Sequence, residues 1–218
     1  MGRQLELDLP KWGGRRKGAG RPRTKEHPGL VGPGVPHKRK AGIASNHPIH
    51  VTQRVQPGVG YLRAYRRAKV IENAFSIAKE RFGMRVAHYS IQGNHLHLIV
   101  EAENSRALAR GMQGLSIRVA KQLNKLAGRA GAVFADRYHS HELRTRRETA
   151  NAVRYVVGNY RQHMREHTPP RWEDPLSSAR FVRQPPDDDA PVARPRTWLL
   201  SRGWRLEPPP KRPAGRPA

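Results

Sequence analysis

Gly93-Asn94-His95-Leu96-His97-Leu98-Ile99-Val100 reads as a tight turn feeding an apolar strand, the second half of a hairpin whose first strand runs from Arg85 to Gln92. Side chains alternate along a strand, so His95 and His97 share one face while Leu96, Leu98 and Val100 share the other. The apolar side needs a core beneath it. The opposite side holds two imidazoles close enough to ligate one metal ion.

Working outward, His50-Val51-Thr52-Gln53-Arg54 predicts a strand that begins near His47 and stops before the Pro57-Gly58 turn. Tyr61 to Phe82 carries Leu62, Tyr65, Val70, Phe75 and Ile77 among Ala, Arg and Lys, consistent with an amphipathic helix. Ser105 to Leu126 reads as a second helix on the stripe Leu108, Met112, Leu115, Val119 and Leu123. Val133 to Leu143 suits a strand, and Arg146 to Glu166 suits a helix containing Val153, Tyr155 and Val156. The order βαββαβα implies an α+β fold, a ferredoxin-like antiparallel sheet with packed helices and a C-terminal catalytic helix.

Flanking composition sets the boundaries. Residues 1–43 read as a flexible basic arm: Gly, Pro, Lys and Arg dominate from residue 11, and Lys17, Arg21, Arg23, Lys38, Arg39 and Lys40 are candidates for phosphate attraction. Gly20-Arg21-Pro22, faintly repeated at Gly215-Arg216-Pro217, resembles the centre of a minor-groove peptide. Residues 44–166 form the expected domain, and 167–218 a Pro-rich tail. Within that tail Thr197-Trp198-Leu199-Leu200 and Gly203-Trp204 are expected to dock on the domain, because free Trp side chains would expose much apolar surface.

Forty-two Lys and Arg against seventeen Asp and Glu give a formal charge of +25, which favours a polyanionic partner. Nucleic acid fits better than a membrane, since no long apolar span stands out. A cytoplasmic, nucleoid-associated setting is the expectation. With no cysteine, any metal must take nitrogen and oxygen ligands.

Arg154-Tyr155-Val156-Val157-Gly158-Asn159 places a phenol and a carboxamide four residues apart, on one face of a helix. Asn159 can offer its carbonyl oxygen beside His95 and His97, and phosphate chemistry favours Mg2+ or Mn2+ at such a centre. Tyr155 can attack phosphorus, with loss of its proton assisted by the metal, a local base or water. Arg54, Arg66, Arg67, Arg137, Arg144 and Arg154 are candidate DNA contacts. His139 and His141 repeat the His-x-His spacing and read chiefly as sheet-surface or DNA-contact groups; His50 reads as structural or close to substrate. Tyr160 is rotated off the Tyr155–Asn159 face.

At His50–Arg54, Gly93–Val100 and Arg154–Asn159 the sequence resembles the single-tyrosine HUH transposases, particularly the REP-associated tyrosine transposases of bacteria. The resemblance covers about residues 44–166. It implies a single-stranded DNA endonuclease and strand transferase acting at hairpin-associated sites, with Tyr155 joined to the 5′ phosphate and a free 3′ hydroxyl left behind. It further implies His95, His97 and Asn159 as ligands of Mg2+ or Mn2+, and action as a monomer or homodimer. Two other readings suit the charge: a non-catalytic regulator that binds structured DNA, and an RNA-binding protein on a similar scaffold.

Overall fold

The computed structural model describes residues 42–163, 169 and 172–208. Lys17, Arg21, Arg23, Lys38, Arg39 and Lys40, like both Gly-Arg-Pro stretches, lie outside the described residues.

Five strands form one antiparallel sheet: β1 (Ile49–Arg54), β2 (Glu80–Arg81), β3 (Met84–Ile91), β4 (His95–Ala102) and β5 (His139–Glu142), in the spatial order β2-β3-β4-β1-β5. β4 lies between β3 and β1 and runs antiparallel to both. β1 and β3 are therefore parallel but not adjacent, the split βαβ arrangement of a ferredoxin-like fold. Helices α1 (Tyr65–Ala78) and α2 (Ser105–Ala127) make the two crossovers, and α3 (Arg146–His163) follows β5.

The sheet separates two apolar layers. On one side Val51, Val86, Leu96, Leu98 and Val100 pack with α1 and α2. The α1 residues that reach this layer, Ala68, Ile71, Ala74, Phe75 and Ala78, keep helical spacing. On the other side Ala87 and Ile99 meet Val153 and Val156 of α3, together with Leu143, Leu200 and Trp204. Helix α2 starts where the Asn104 side chain accepts the Ala107 N–H at 2.9 Å and ends at Gly128, whose φ of 59° suits glycine.

Element boundaries depart from the sequence reading at several points, including the start of α1, which lies at Tyr65 and not Tyr61. The helix expected to reach Phe82 stops at Ala78, because Glu80 and Arg81 pair with Arg85 and Met84. Phe82 and Gly83, both at positive φ (58° and 72°), make the two-residue turn of that hairpin. The expected strand 133–143 is regular only over His139–Glu142. Its earlier part touches the sheet through a single bridge from Phe134 to Val55, and Asp136 bends the chain by accepting the N–H of Arg137.

Beyond α3 the chain packs back as a strap containing α4 (Arg180–Arg183), α5 (Trp198–Ser201) and a 3₁₀ turn (Gly203–Leu206). Glu101, 6% exposed at the end of β4, accepts the N–H groups of Arg196 and Thr197 and the Thr197 hydroxyl. Trp204 is 8% exposed in the α3 layer, whereas Trp198 remains 55% exposed and lies over Gly203.

Candidate active site

Helix α3 gains its starting point from Thr145 and Glu148. The Glu148 N–H donates to Thr145 Oγ1 at 3.1 Å, and the Glu148 carboxylate accepts the N–H groups of Arg144 and Thr145. This reciprocal cap fixes the helix register. The Arg144 N–H lowers the Glu148 carboxyl below its usual range, against a smaller opposing effect of burial. With Val153 and Val156 turned into the apolar layer, Tyr155 projects beside them over the histidines, 39% exposed. Asn159, one turn later, is 1% exposed.

Strand pairing assembles the polar face opposite α3. Thr52 stands across from His97, Arg54 from His95, and His50 and Thr52 from His141 and His139. Cross-strand partners share a face, so the second His-x-His pair flanks the first with β1 between them. His50 Nε2 lies 3.2 Å and Thr52 Oγ1 3.1 Å from His97 Nδ1. The His97 ring centre is 5.1 Å from that of Tyr155, and the His50 ring centre 6.0 Å. Burial, then the neighbouring His139 and His141, push His50 down to about 4, so its ring is neutral at pH 7.

The His95 and His97 Nε2 atoms face each other at 2.9 Å. Two ligands about 2.1 Å from one ion and at a right angle would stand about 3 Å apart. His95 Nδ1–H donates to Asn94 Oδ1 at 2.8 Å, which directs the Nε2 lone pair inward. His97 Nδ1 meets Thr52 Oγ1 and His50 Nε2, and the tautomer sets which of them donates. With a proton on one Nε2 the two histidines are hydrogen-bonded, and with neither protonated they present two ligands to a cation.

Among the described residues no group of three His, Cys, Asp or Glu side chains could hold a metal. Further ligands to an ion held by His95 and His97 would be neutral oxygens, from an amide, a hydroxyl, the backbone, water or substrate. Asn159 is a buried amide whose Oδ1 and Nδ2 have no hydrogen-bond partner among the described residues. Two imidazoles completed by neutral oxygen donors would suit a divalent ion.

The candidate DNA contacts divide. Arg54 is exposed at the end of β1, opposite His95, and Arg137 is exposed just before β5. Arg66 and Arg67 lie in the first turn of α1, whose lead-in is tied to the turn before His95 by the Leu62 N–H to Gly93 carbonyl bond of 2.8 Å. Arg144 pairs with Glu142 at 3.0 Å. Arg154 donates to the Glu207 carbonyl and so helps hold the strap. His50, read from the sequence as structural or close to substrate, sits beside His97 and Tyr155, on the face that the alternation of β1, with Val51 and Gln53 inward, assigns to it.

The description "Transposase IS200 like" belongs to the family model that matches residues 44–159, more than half of the chain. Among solved structures, the fold is similar to a REP-associated tyrosine transposase bound to a REP hairpin. The TM-score is 0.50 at 16% identity, over 71% of this chain and 90% of that one. A provisionally named transposase from Deinococcus radiodurans R1 gives a TM-score of 0.38 at 10% identity, over 64% and 100% of the two chains. No curated protein sequence matches significantly. Among the described residues no helix is long and apolar enough to cross a membrane. By the match across residues 44–159, this chain belongs to the IS200-like transposase family.

Proposed function

We propose that the chain cleaves single-stranded DNA at hairpin-associated sites and transfers the strand through a covalent 5′-phosphotyrosine at Tyr155. The carrying observation is the placement of the Tyr155 ring 5.1 Å from His97, whose Nε2 in turn faces that of His95 at 2.9 Å. In this reading residues 44–166 carry the catalytic groups, 1–43 are a basic DNA arm, and the segment from 167 onward includes the strap that closes the domain. The protein works in the cytoplasm at the nucleoid as a monomer or homodimer.

His95, His97 and Asn159 would hold Mg2+ or Mn2+. Such an ion would supply positive charge that offsets the charge developing on the phosphate. Tyr155 Oη attacks phosphorus and forms the new P–O bond as the bond to the 3′ oxygen breaks. The phenolic proton passes to solvent or a nearby acceptor, and the departing 3′ oxygen takes up a proton to become a hydroxyl. Attack by a 3′ hydroxyl on the phosphotyrosine reverses these bond changes and rejoins DNA. Arg54, opposite His95, and Arg137 are the arginines best placed to hold flanking phosphates; Arg66 and Arg67 extend the positive surface at the turn end of the sheet. The hairpin carried by the related structure supports a hairpin DNA substrate.

The test incubates wild type and Tyr155→Phe with end-labelled hairpin-bearing single-stranded DNA, with Mg2+ or Mn2+ and with chelator. A denaturant-resistant adduct that needs both metal and Tyr155 is expected. Hairpin binding without cleavage across a broad hairpin pool would replace the reading with a DNA-binding regulator. Stronger binding to matched RNA hairpins would favour an RNA-binding protein.

A further inference from the structure

A connected group of aromatic and charged side chains adjoins the histidine strand without belonging to the proposed catalytic set. Tyr61 is 54% exposed, and one edge of its ring lies against Gly93, where a β-carbon would stand 2.9 Å from Cε2. Gly93 lies two residues before His95. The next residue, Leu62, donates its N–H to the Gly93 carbonyl at 2.8 Å, which ties Tyr61 to the turn that leads into His95.

Tyr160, the residue after Asn159, is firmly held. The Arg63 guanidinium lies over the Tyr160 ring, 3.5 Å from its centre, and bonds both oxygens of Asp174 at 2.7 and 2.9 Å. The Arg63 and Asp174 side chains are 7% and 1% exposed. A third bond from Arg63 reaches the Ile91 carbonyl at the end of β3. Trp172 adds an aromatic neighbour, its ring 5.9 Å from that of Tyr160. These contacts hold Tyr160 and Arg63 in place beside the chain that carries Tyr61, and Tyr61 itself is set against the histidine strand by its ring edge on Gly93 and by the Leu62–Gly93 backbone bond.

We infer that Tyr61 is a stacking platform for an unpaired nucleobase adjoining the scissile phosphate, positioned by its contact with Gly93 and by the Leu62–Gly93 backbone bond. The inference rests on the single-stranded DNA reading above. The high positive charge supplies nonspecific attraction to phosphates, whereas an aromatic face adds preference for unstacked bases. Duplex DNA, with its bases already stacked, gains nothing from Tyr61.

The experiment uses the full chain carrying Tyr155→Phe, which binds without the proposed cleavage. The probes are a hairpin DNA with single-stranded flanks containing 2-aminopurine at one unpaired position at a time, and a blunt duplex. Binding should quench 2-aminopurine at one position or a few adjacent ones. Tyr61→Ala should remove that quenching and weaken hairpin-flank binding by about 5–100-fold, while duplex binding changes less than about twofold. Tyr61→Phe and Tyr61→Trp should retain quenching, which separates the ring from its hydroxyl. Flank binding by Tyr61→Ala within twofold of its parent, or equal losses for both probes, would overturn the inference. Tyr61-dependent quenching without any wild-type adduct would remove the strand-transfer reading and leave the platform. An adduct with no Tyr61 effect on binding would remove only the platform.

Discussion

Replacing Asn159 with leucine should stabilise the metal-free protein while removing its proposed activity. The side chain is 1% exposed, and both polar atoms lack hydrogen-bond partners among the described residues. A buried polar group left unsatisfied costs about 1–3 kcal/mol, and leucine has the same branching and heavy-atom number without that cost. In chelator, Asn159→Leu should therefore raise stability by about 1–3 kcal/mol, or roughly 2–12 °C for a chain of this size. Added Mn2+ should narrow the difference, and reverse it where the ion's gain exceeds the variant's advantage. An ion that binds only the folded wild type at 100 times its Kd adds about 2.7 kcal/mol, and the variant, lacking one donor, should gain less. Thermal and urea unfolding in both conditions, followed by circular dichroism, give the four stabilities required. A variant less stable than wild type in chelator would show the amide to be a structural hydrogen-bonding group. An equal Mn2+ gain in both proteins would remove Asn159 from the ligand set.

Asp174→Ala should destabilise by about 3–5 kcal/mol in urea unfolding, since it strands the buried Arg63 charge; Arg63→Met with Asp174→Leu should recover most of the loss. Trp204→Ala should cost about 3–5 kcal/mol through loss of packing under α3, whereas Trp204→Phe should cost less than about 1.5 kcal/mol, both read from urea midpoints. His88 is pushed from 6.5 to about 4 by burial and then by Arg205. Its folded value lies below its unfolded value, so its contribution is complete above pH 6.5 and declines as pH falls toward 4. That contribution is at most about 3 kcal/mol, and urea midpoints between pH 7 and pH 4.5 should fall less steeply in His88→Asn than in wild type.

Much of the architecture was legible locally. The alternation in His95–Val100 specified which side chains face the α1 and α2 layer, and the α2 stripe gave its buried residues almost individually. The reciprocal cap at Thr145-Arg146-Arg147-Glu148 is also spelled in the chain and accounts for where α3 begins. The end of α1 was less legible because Glu80 and Arg81 have ordinary helical composition; their pairing with β3 overrides it. Docking of the Trp204 end of the strap was legible from its apolar residues, whereas its anchors at Glu101 and Arg63 were not, because these partners lie 95 and 111 positions away in sequence.

By itself the sequence determined the charge, the absence of thiolate ligands, the two-faced strand carrying His95 and His97, and the helical spacing of Tyr155 and Asn159. Periodicity decides such relations because it is set by local backbone geometry. Only the tertiary structure decided that His50 lies beside His97, that the Tyr155 ring stands 5.1 Å from His97, and that Arg63 meets Asp174 across 111 positions. Those distances depend on which strands pair and which helix covers which face, and local spacing contains no measure of either.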